Sequence, residues 1–140
     1  MKIQTSRFGE IEVDESKIIE MRGGRILGFT SLNRFVMIVH EEGSPFHWFQ
    51  SLDDGSIAFI TMNPFIIKSD YGPEIDDQTV EILEIDKVED IELMVILTIR
   101  SEPVKMTANL RAPLVINKQK RLANQVILED DQYEVQYSVA

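Results

Sequence analysis

The residues best suited to chemistry in this chain are its two histidines, His40 and His47, with Glu41 and Glu42 beside the first. A turn between the histidines could bring imidazole and carboxylate groups together, and a catalytic zinc site usually takes three protein ligands in tetrahedral geometry. We favour surface or half-buried histidines without a metal. No cofactor is predicted, and a small metal-dependent enzyme using His40 and His47 is kept as the alternative.

Other patterns that could carry catalysis do not complete a site. The chain has no cysteine, which excludes a thiol nucleophile, a disulfide framework and a zinc ribbon. Asp53 and Asp54 lie in a Leu-Asp-Asp-Gly-Ser context that is typical of a turn. Residues 70–77 lack the ligand spacing of a calcium loop. The glycines within 22–28 match no phosphate or dinucleotide fingerprint and favour a turn with positive φ. We therefore predict that the protein is not an enzyme.

The strongest sequence feature is an acidic segment, residues 70–92. It holds ten acidic residues and one base, Lys87, and so carries nine units of the formal net charge of −10. Charge concentrated in this way repels nucleic acid and steers a basic partner toward the protein. The pI near 4.6 also argues against direct binding to DNA or RNA, which normally requires a basic patch.

The elements that must position these residues are mostly strands, because apolar residues recur with a period of two. The predicted strands are 9–13, 35–39, 46–50, 57–62, 80–85, 93–99, 114–116, 125–128 and 133–137. We expect 93–99 to be a central strand that is buried on both faces.

Helix signals are few. We predict one turn at 31–35 with Ser31 as its cap, another at 86–91, and a short helix over 117–124, which is rich in helix formers. Residues 68–78 are predicted to form a long exposed loop. Many short strands between loops favour a mostly β, single-domain antiparallel β-barrel-like or sandwich fold with one to three short helices.

The length of 140 residues fits one domain over residues 1–140, with a core large enough to need no covalent staples. The first residues lack the apolar core of a signal peptide. No apolar run reaches the roughly 18 residues that a membrane span needs. We expect a cytoplasmic protein that is a monomer and does not contact membranes.

Two further stretches could contact a partner. In a strand over 45–51, Phe46, Trp48 and Gln50 share one face, while His47 and Phe49 lie on the other. Aromatic side chains on both faces could leave one of them exposed, and tryptophan is enriched at protein interfaces. Residues 107–113 are polar and irregular, and we interpret Asn109 and Pro113 there as backbone-shaping residues, with an exposed ligand role as the second possibility.

Several short motifs occur in an order known from one protein family. They are 7–13 (RFGEIEV), 18–21 (IIEM), 24–29 (GRILGF), 45–51 (PFHWFQS), 58–59 (AF), 63–65 (NPF) with Tyr71, 95–98 (VILT), 107–117 (TANLRAPLVIN) and 125–128 (QVIL). Together they span nearly the full chain, which resembles the FliW family of bacterial flagellar assembly factors. The chain departs from the family pattern at Leu27, where a proline is usual, and at Phe49, where a leucine is usual.

The resemblance implies a non-enzymatic β-barrel-like protein with two partners. One is the C-terminal segment of flagellin, held before export. The other is the carbon storage regulator, a small basic protein that binds messenger RNA and represses flagellin translation. The freed factor would bind the regulator and relieve that repression. A self-assembling structural β-domain is the remaining alternative.

For the regulator, we predict contacts by carboxylates of the acidic segment, with Asp76, Asp77, Glu81 and Glu84 as the first candidates. For flagellin, we predict an exposed strand edge or an apolar groove near Trp48, Phe49 and Asn109, since a partner helix would need such a groove.

Overall fold

The computed structural model describes residues 1–23, 26–101, 104–130 and 132–139. The strands are β1 (Lys2–Thr5), β2 (Gly9–Glu12), β3 (Ile19–Met21), β4 (Arg34–Val39), β5 (Phe46–Ser51), β6 (Ala58–Met62), β7 (Ile91–Ser101), β8 (Val104–Ala108), β9 (Leu114–Asn117), β10 (Leu122–Gln125) and β11 (Tyr137–Ser138). The helices are α1 (Pro64–Ile67) and α2 (Asp77–Ile82), with single 3-10 turns at Glu15–Lys17 and Val88–Asp90.

Seven strands close into a barrel in the order β7, β6, β5, β4, β3, β10, β9 and back to β7. All of these pairings are antiparallel except the one between β10 and β3, which is parallel. Closure depends on β7, because its eleven residues pair successively with β9 at 91–94, with β6 at 95–96 and with β8 at 97–101. A closed barrel leaves few open strand edges. The mostly β fold is therefore confirmed as a barrel.

The barrel interior is filled by the apolar face of the predicted period-two strands. Phe35 and Phe49 are fully buried there, with ring centroids 4.3 Å apart in a stacked arrangement. Ile19, Leu114 and Ile116 belong to the same cluster. A second apolar cluster, which contains Tyr71 and Tyr133, lies between the 68–76 loop, β7 and the C-terminal residues.

The β1–β2 hairpin lies outside the barrel and is fastened to the β5–β6 turn. The Ser6 amide donates to the Gly55 carbonyl at 3.0 Å. A Cβ atom on Gly55 would overlap the carbonyl oxygen of Gln4. Glycine is thus required at residue 55 because two backbones touch there.

The predicted strands at 9–13, 35–39, 46–50, 57–62 and 114–116 are confirmed to within one or two residues as β2, β4, β5, β6 and β9. The turn at 86–91 is confirmed by the 3-10 turn Val88–Asp90. No helix of the described residues is long and apolar enough to cross a membrane.

The strand predicted at 80–85 is wrong, since α2 occupies its first three residues and a turn follows. Asp76 caps the helix by accepting from the Thr79 amide. Thr79 and Leu83 are buried, and Ile75 and Ile82 are half-buried, so the buried positions follow helical spacing of three and four rather than alternation. The apolar-acidic alternation of 80–85 was a weaker signal than the burial of this helical face.

The helix predicted at 117–124 is also wrong, because the segment forms the β9–β10 hairpin. The Asn117 side chain accepts from the amides of Gln119 and Lys120 and closes the turn. Leu122 and Ala123 are buried between β9 and β3. Burial and pairing on both edges outweigh the helix propensity of the lysine-rich residues.

Some predicted elements are only partly correct. In β7, Met94, Val95 and Leu97 are buried and Ile96 is half-buried, whereas Thr98 and Ile99 are exposed. In the predicted strand 125–128, only Gln125 belongs to β10. Residues 126–128 remain extended, with Val126 donating to the Pro113 carbonyl at 3.0 Å and Leu128 to the Arg111 carbonyl at 2.8 Å.

Three further local predictions are wholly or partly wrong. Of 133–137, only the last residue lies in a strand, β11. The helical turn predicted at 31–35 is wrong, since a non-helical turn ends at Ser31 and β4 begins at Arg34. The predicted loop 68–78 ends at Asp76, and its Tyr71 is buried rather than exposed.

Candidate partner-binding surface

The acidic segment lies on the surface of the barrel. Nine of its ten acidic residues are exposed, and Asp90 is half-buried. The segment is anchored from below by Tyr71, Thr79 and Leu83, which are at most 5% exposed. The carboxylates therefore face solvent while the apolar and hydroxyl side chains hold the backbone in place.

Three predicted contact residues lie along α2: Asp76 is its N-cap, Asp77 is its first residue and Glu81 is its second-last residue. The Asp76 Oδ1 atom accepts from the Thr79 amide at 2.8 Å, and this backbone hydrogen bond, then the Thr79 side chain, lowers the pKa of Asp76. Asp77 and Glu81 are exposed one turn apart, and neither forms an ion pair with a residue that the structure describes. Like charges at this spacing weaken a helix. Asp77 lies in the first turn, where a carboxylate stabilises a helix, so helix stability accounts for Asp77 but not for Glu81.

Glu84 has a different environment from the other three. Its Oε2 atom lies 2.7 Å from a guanidinium nitrogen of Arg22, and its Oε1 atom lies 3.7 Å from the Lys120 ammonium. The same ammonium lies 3.4 Å from Asp86. The charges of Glu84 and Asp86 are thus compensated within the chain, and the uncompensated acidic face comprises Asp76, Asp77 and Glu81.

Asn117 is a positioning residue of this surface that sequence reasoning did not identify. It is 1% exposed, and its amide nitrogen donates to the carbonyls of Leu83 at 2.8 Å and Glu84 at 3.1 Å. Since its oxygen accepts from the two turn amides, all its hydrogen-bonding capacity is used. Asn117 therefore joins the end of α2 to the β9–β10 turn. An asparagine directly after an apolar strand was the available signal.

A groove of about 500 Å³ lies beside the acidic face, between the 72–76 loop and residues 126–133. Four carboxylates line it, from Glu74, Asp76, Glu129 and Asp130, together with apolar side chains. Glu129 and Asp130 were missed because they lie far from the acidic segment in sequence. Only the tertiary structure brings the two acidic stretches together.

Two tyrosines brace this groove. The Tyr71 hydroxyl donates to the Leu110 carbonyl at 2.7 Å, and the Tyr133 hydroxyl accepts from the Gly72 amide at 3.2 Å. Their rings meet edge to face, with centroids 4.9 Å apart. Burial raises the pKa of Tyr71 above its ordinary value. The loop wall of the groove is thus held by two buried tyrosine side chains.

The three residues predicted for flagellin do not form one surface. Phe49 is fully buried in the barrel core, because strand alternation turns it inward, and it offers no atom to a partner. Trp48 points outward but is only 9% exposed, with the Arg7 guanidinium 4.0 Å above its ring. Asn109 is half-buried, accepts from the amides of Arg111 and Ala112, and is separated from the Trp48 strand by β6 and β7.

The two histidines lie near the β4–β5 turn. The His40 Nδ1 atom accepts from the Trp48 indole at 3.0 Å, and its Nε2 atom lies 3.5 Å from Glu41. His47 is half-buried and pairs with Val39 across the hairpin. Among the described residues, no group of three or more His, Asp or Glu side chains is arranged to hold a metal ion.

Comparison with known proteins settles the family. The family model described as "FliW protein" matches residues 2–139 of the chain. The chain belongs to the FliW family. It is 52% identical to the flagellar assembly factor FliW of Syntrophus aciditrophicus over 99% of this chain and 87% of that protein. It is 45% identical to the flagellar assembly factor FliW of Bacillus licheniformis, over 95% and 92% of the two chains.

A solved structure agrees with the fold. The crystal structure of a flagellar assembly factor FliW superposes with a TM-score of 0.89, at 37% identity, over 100% of this chain and 97% of that one. The resemblance inferred from the ordered motifs is therefore confirmed, and the chain is a member of the flagellar assembly factors.

The two departures from the FliW family pattern have structural explanations. The Leu27 amide donates to the Gln125 side chain at 2.8 Å, a bond that a proline could not form. The neighbouring Gly28 has a φ of +87°, and Gly23 one of +82°, as predicted for this turn, while Gly24 and Arg25 lie outside the described residues. At the second departure, the Phe49 ring stacks on Phe35 in the barrel core.

Proposed function

We propose that the protein binds the C-terminal segment of flagellin and antagonises the carbon storage regulator in the cytoplasm, thereby relieving repression of flagellin translation. Membership of the FliW family and the names of its relatives as flagellar assembly factors support a role in flagellar assembly. The observation that supports the regulator as a partner is the solvent-facing acidic surface around α2.

Electrostatics favour a basic RNA-binding protein as the partner of this surface. Two unit charges 4 Å apart attract by about 1 kcal/mol in water and by about 4 kcal/mol at an effective dielectric constant of 20. Several such pairs accelerate encounter and select the partner. The same carboxylates oppose the phosphates of an RNA bound to that partner.

The surface assigned to the regulator is centred on Asp76, Asp77 and Glu81. Their carboxylates have no cationic partner among the described side chains, so a basic protein gains these contacts without breaking existing ones. Glu84 belongs to the edge of this surface, since a partner would compete there with Arg22 and Lys120. For flagellin, Trp48 and Asn109 remain as proposed contacts and Phe49 is left out.

The test uses isothermal titration calorimetry with purified regulator and purified flagellin. We expect the Asp77→Lys, Glu81→Lys double variant to bind the regulator at least about tenfold more weakly than the unmodified protein, because attraction becomes repulsion. The matched control is Glu41→Lys, Glu42→Lys, which makes the same charge change at the exposed β4–β5 turn and should bind normally.

The flagellin arm compares full-length flagellin with flagellin lacking its C-terminal segment, and only the former should bind. Absence of a complex with either partner at micromolar concentration would reject the proposed function. Equal loss of binding in the α2 variant and in the turn control would mean that net charge, not this surface, governs recognition.

A further inference from the structure

Residues 126–128 form an extended segment with one open edge. Val126 and Leu128 donate to the carbonyls of Pro113 and Arg111. Since backbone groups alternate in direction along an extended chain, the N–H and C=O of Ile127 face the opposite edge. No residue that the structure describes forms a hydrogen bond with either group.

The unpaired edge at Ile127 lies on the same side of the chain as the edge of β10 that pairs with β3. That pairing covers Leu122 and Ala123, and β3 ends at Met21. Past Met21, the Arg22 amide donates to the Ala123 carbonyl at 2.8 Å, and the Leu27 amide donates to the Gln125 side chain at 2.8 Å. Beyond Gln125, no residue that the structure describes pairs with the segment on this side. An unpaired edge is a template for an added strand, and proteins usually protect such edges.

The groove beside this edge is lined by negative charges, which favour a basic binding partner. Ile127 is 61% exposed, while Glu74 and Asp76 on one wall and Glu129 and Asp130 on the other supply the four carboxylates. Among the described lining residues there is no cationic side chain. Because the chain has a formal net charge of −10, a second copy would be repelled overall, whereas a basic segment would be attracted.

We propose that this groove holds an extended, lysine- or arginine-bearing segment of a protein partner, which adds to the edge at Ile127 as a strand. Main-chain hydrogen bonds to Ile127 would supply affinity, and cationic side chains beside the four carboxylates would supply specificity. This inference deepens the proposed function and rests on it for the partner's identity, since the carbon storage regulator is the basic partner named there.

The first experiment uses the peptide acetyl-Lys-Val-Lys-Val-Lys-amide as the probe and follows the amide signals of the ¹⁵N-labelled protein by NMR. We expect chemical-shift changes at 126–130 and at Gly72 to Asp76, including the Ile127 amide. N-methylation of alternate peptide nitrogens keeps every side chain but removes strand pairing, and should weaken binding by roughly fivefold or more. An unchanged spectrum at millimolar peptide, or equal binding of the methylated peptide, overturns the proposal.

A charge-matched pair of variants tests the walls of the groove. Glu129→Gln, Asp130→Asn keeps the size of both side chains and the hydrogen-bond acceptor that Asp130 offers to the Gln132 amide. This variant should bind the peptide with an affinity lower by about fivefold or more, because two charge contacts are lost. Glu41→Gln, Glu42→Gln removes the same charge elsewhere and should bind the probe normally.

Titration of the whole regulator separates this inference from the proposed function. If the unmodified protein fails to bind the regulator, the proposed function is rejected whatever the peptide does. If the regulator binds both the unmodified protein and the Glu129→Gln, Asp130→Asn variant equally well, the groove is not its docking site and the inference is overturned while the proposed function stands.

Discussion

At the scale of single residues, the acidic surface depends on buried polar side chains that carry no charge. Asn117 uses both amide protons on the end of α2, and Tyr71 donates to the Leu110 carbonyl beneath the 68–76 loop. Each satisfies backbone groups that would otherwise be buried without a partner, which is costly. The exposed carboxylates are thus positioned by their neighbours rather than by contacts of their own.

Tyr71→Phe tests this support. The change leaves the Leu110 carbonyl without its donor, so we expect the free energy of unfolding to fall by about 1–3 kcal/mol. Urea denaturation followed by circular dichroism measures it. Tyr137→Phe is the control, because no hydrogen bond of the Tyr137 hydroxyl is present among the described residues. A Tyr71→Phe protein as stable as the unmodified one would contradict the assigned role.

The same residue gives the folded protein a pH dependence. Because burial raises the pKa of Tyr71, the unfolded chain releases this proton at lower pH than the folded one. The contribution of protonated Tyr71 to the free energy of unfolding is complete below the ordinary tyrosine pKa of about 10. It is lost as the pH rises above that value. The decline in stability above that pH should therefore be shallower in Tyr71→Phe than in Tyr137→Phe.

At the scale of elements, the β1–β2 hairpin acts as a cover for one face of the barrel. Arg7, in its connecting turn, lies over the Trp48 ring, and Phe8 meets the same ring edge to face with centroids 6.2 Å apart. The close backbone contact at Gly55 fixes how the hairpin sits on the β5–β6 turn. The hairpin thus covers the Trp48 ring on one side, while His40 accepts from its indole nitrogen.

Gly55→Ala is expected to displace the hairpin. The added methyl group overlaps the Gln4 carbonyl, and overpacking of this kind costs about 1–3 kcal/mol. Because Trp48 is the only tryptophan, its fluorescence should shift to longer wavelength as the ring becomes wetter. In the control Gly72→Ala, the new atom would lie 3.8 Å from the Asp70 carbonyl, an ordinary contact, and the spectrum should not change.

At the scale of the whole molecule, the charge is lopsided and part of it is internally neutralised. Glu84 is paired with Arg22 and Lys120, whereas the α2 carboxylates and those of the groove are open to solvent. Carboxylates without a cationic partner among the described residues are therefore concentrated where α2 and the groove adjoin, and are not spread evenly along the acidic segment. A cationic partner would be steered to that region first.

The salt dependence of regulator binding should reveal this asymmetry. Raising the salt from low to physiological concentration shortens the Debye length to about 8 Å and screens surface pairs. We expect affinity to fall with salt for the unmodified protein and to fall less steeply for Asp77→Lys, Glu81→Lys. The Glu41→Lys, Glu42→Lys control should keep the original slope, and an unchanged slope in both variants would place the electrostatic contacts elsewhere.

The parts of the fold that were predictable are those specified by local pattern. The runs of strand-forming residues in β4, β5 and β6 and the turn residues between them indicate two hairpins, and the structure contains both. Residues 80–85 and 117–124 were assigned wrongly because their local patterns compete with long-range burial. Leu83 packs against Val115 and Leu122 across the fold, and that contact cannot be read from either segment alone.

The sequence by itself determined the family, through motifs ordered along the whole chain, the β-rich class, through period-two burial, and the concentration of charge in one segment. Only the tertiary structure decided which of the described acidic side chains lack a cationic partner. Chain folding brings Arg22 and Lys120 to Glu84, turns Phe49 into the core, and carries Glu129 and Asp130 to the groove beside Asp76. The sequence gives the number of charged residues, but their neighbours are set by folding, because the barrel brings together residues that are distant along the chain.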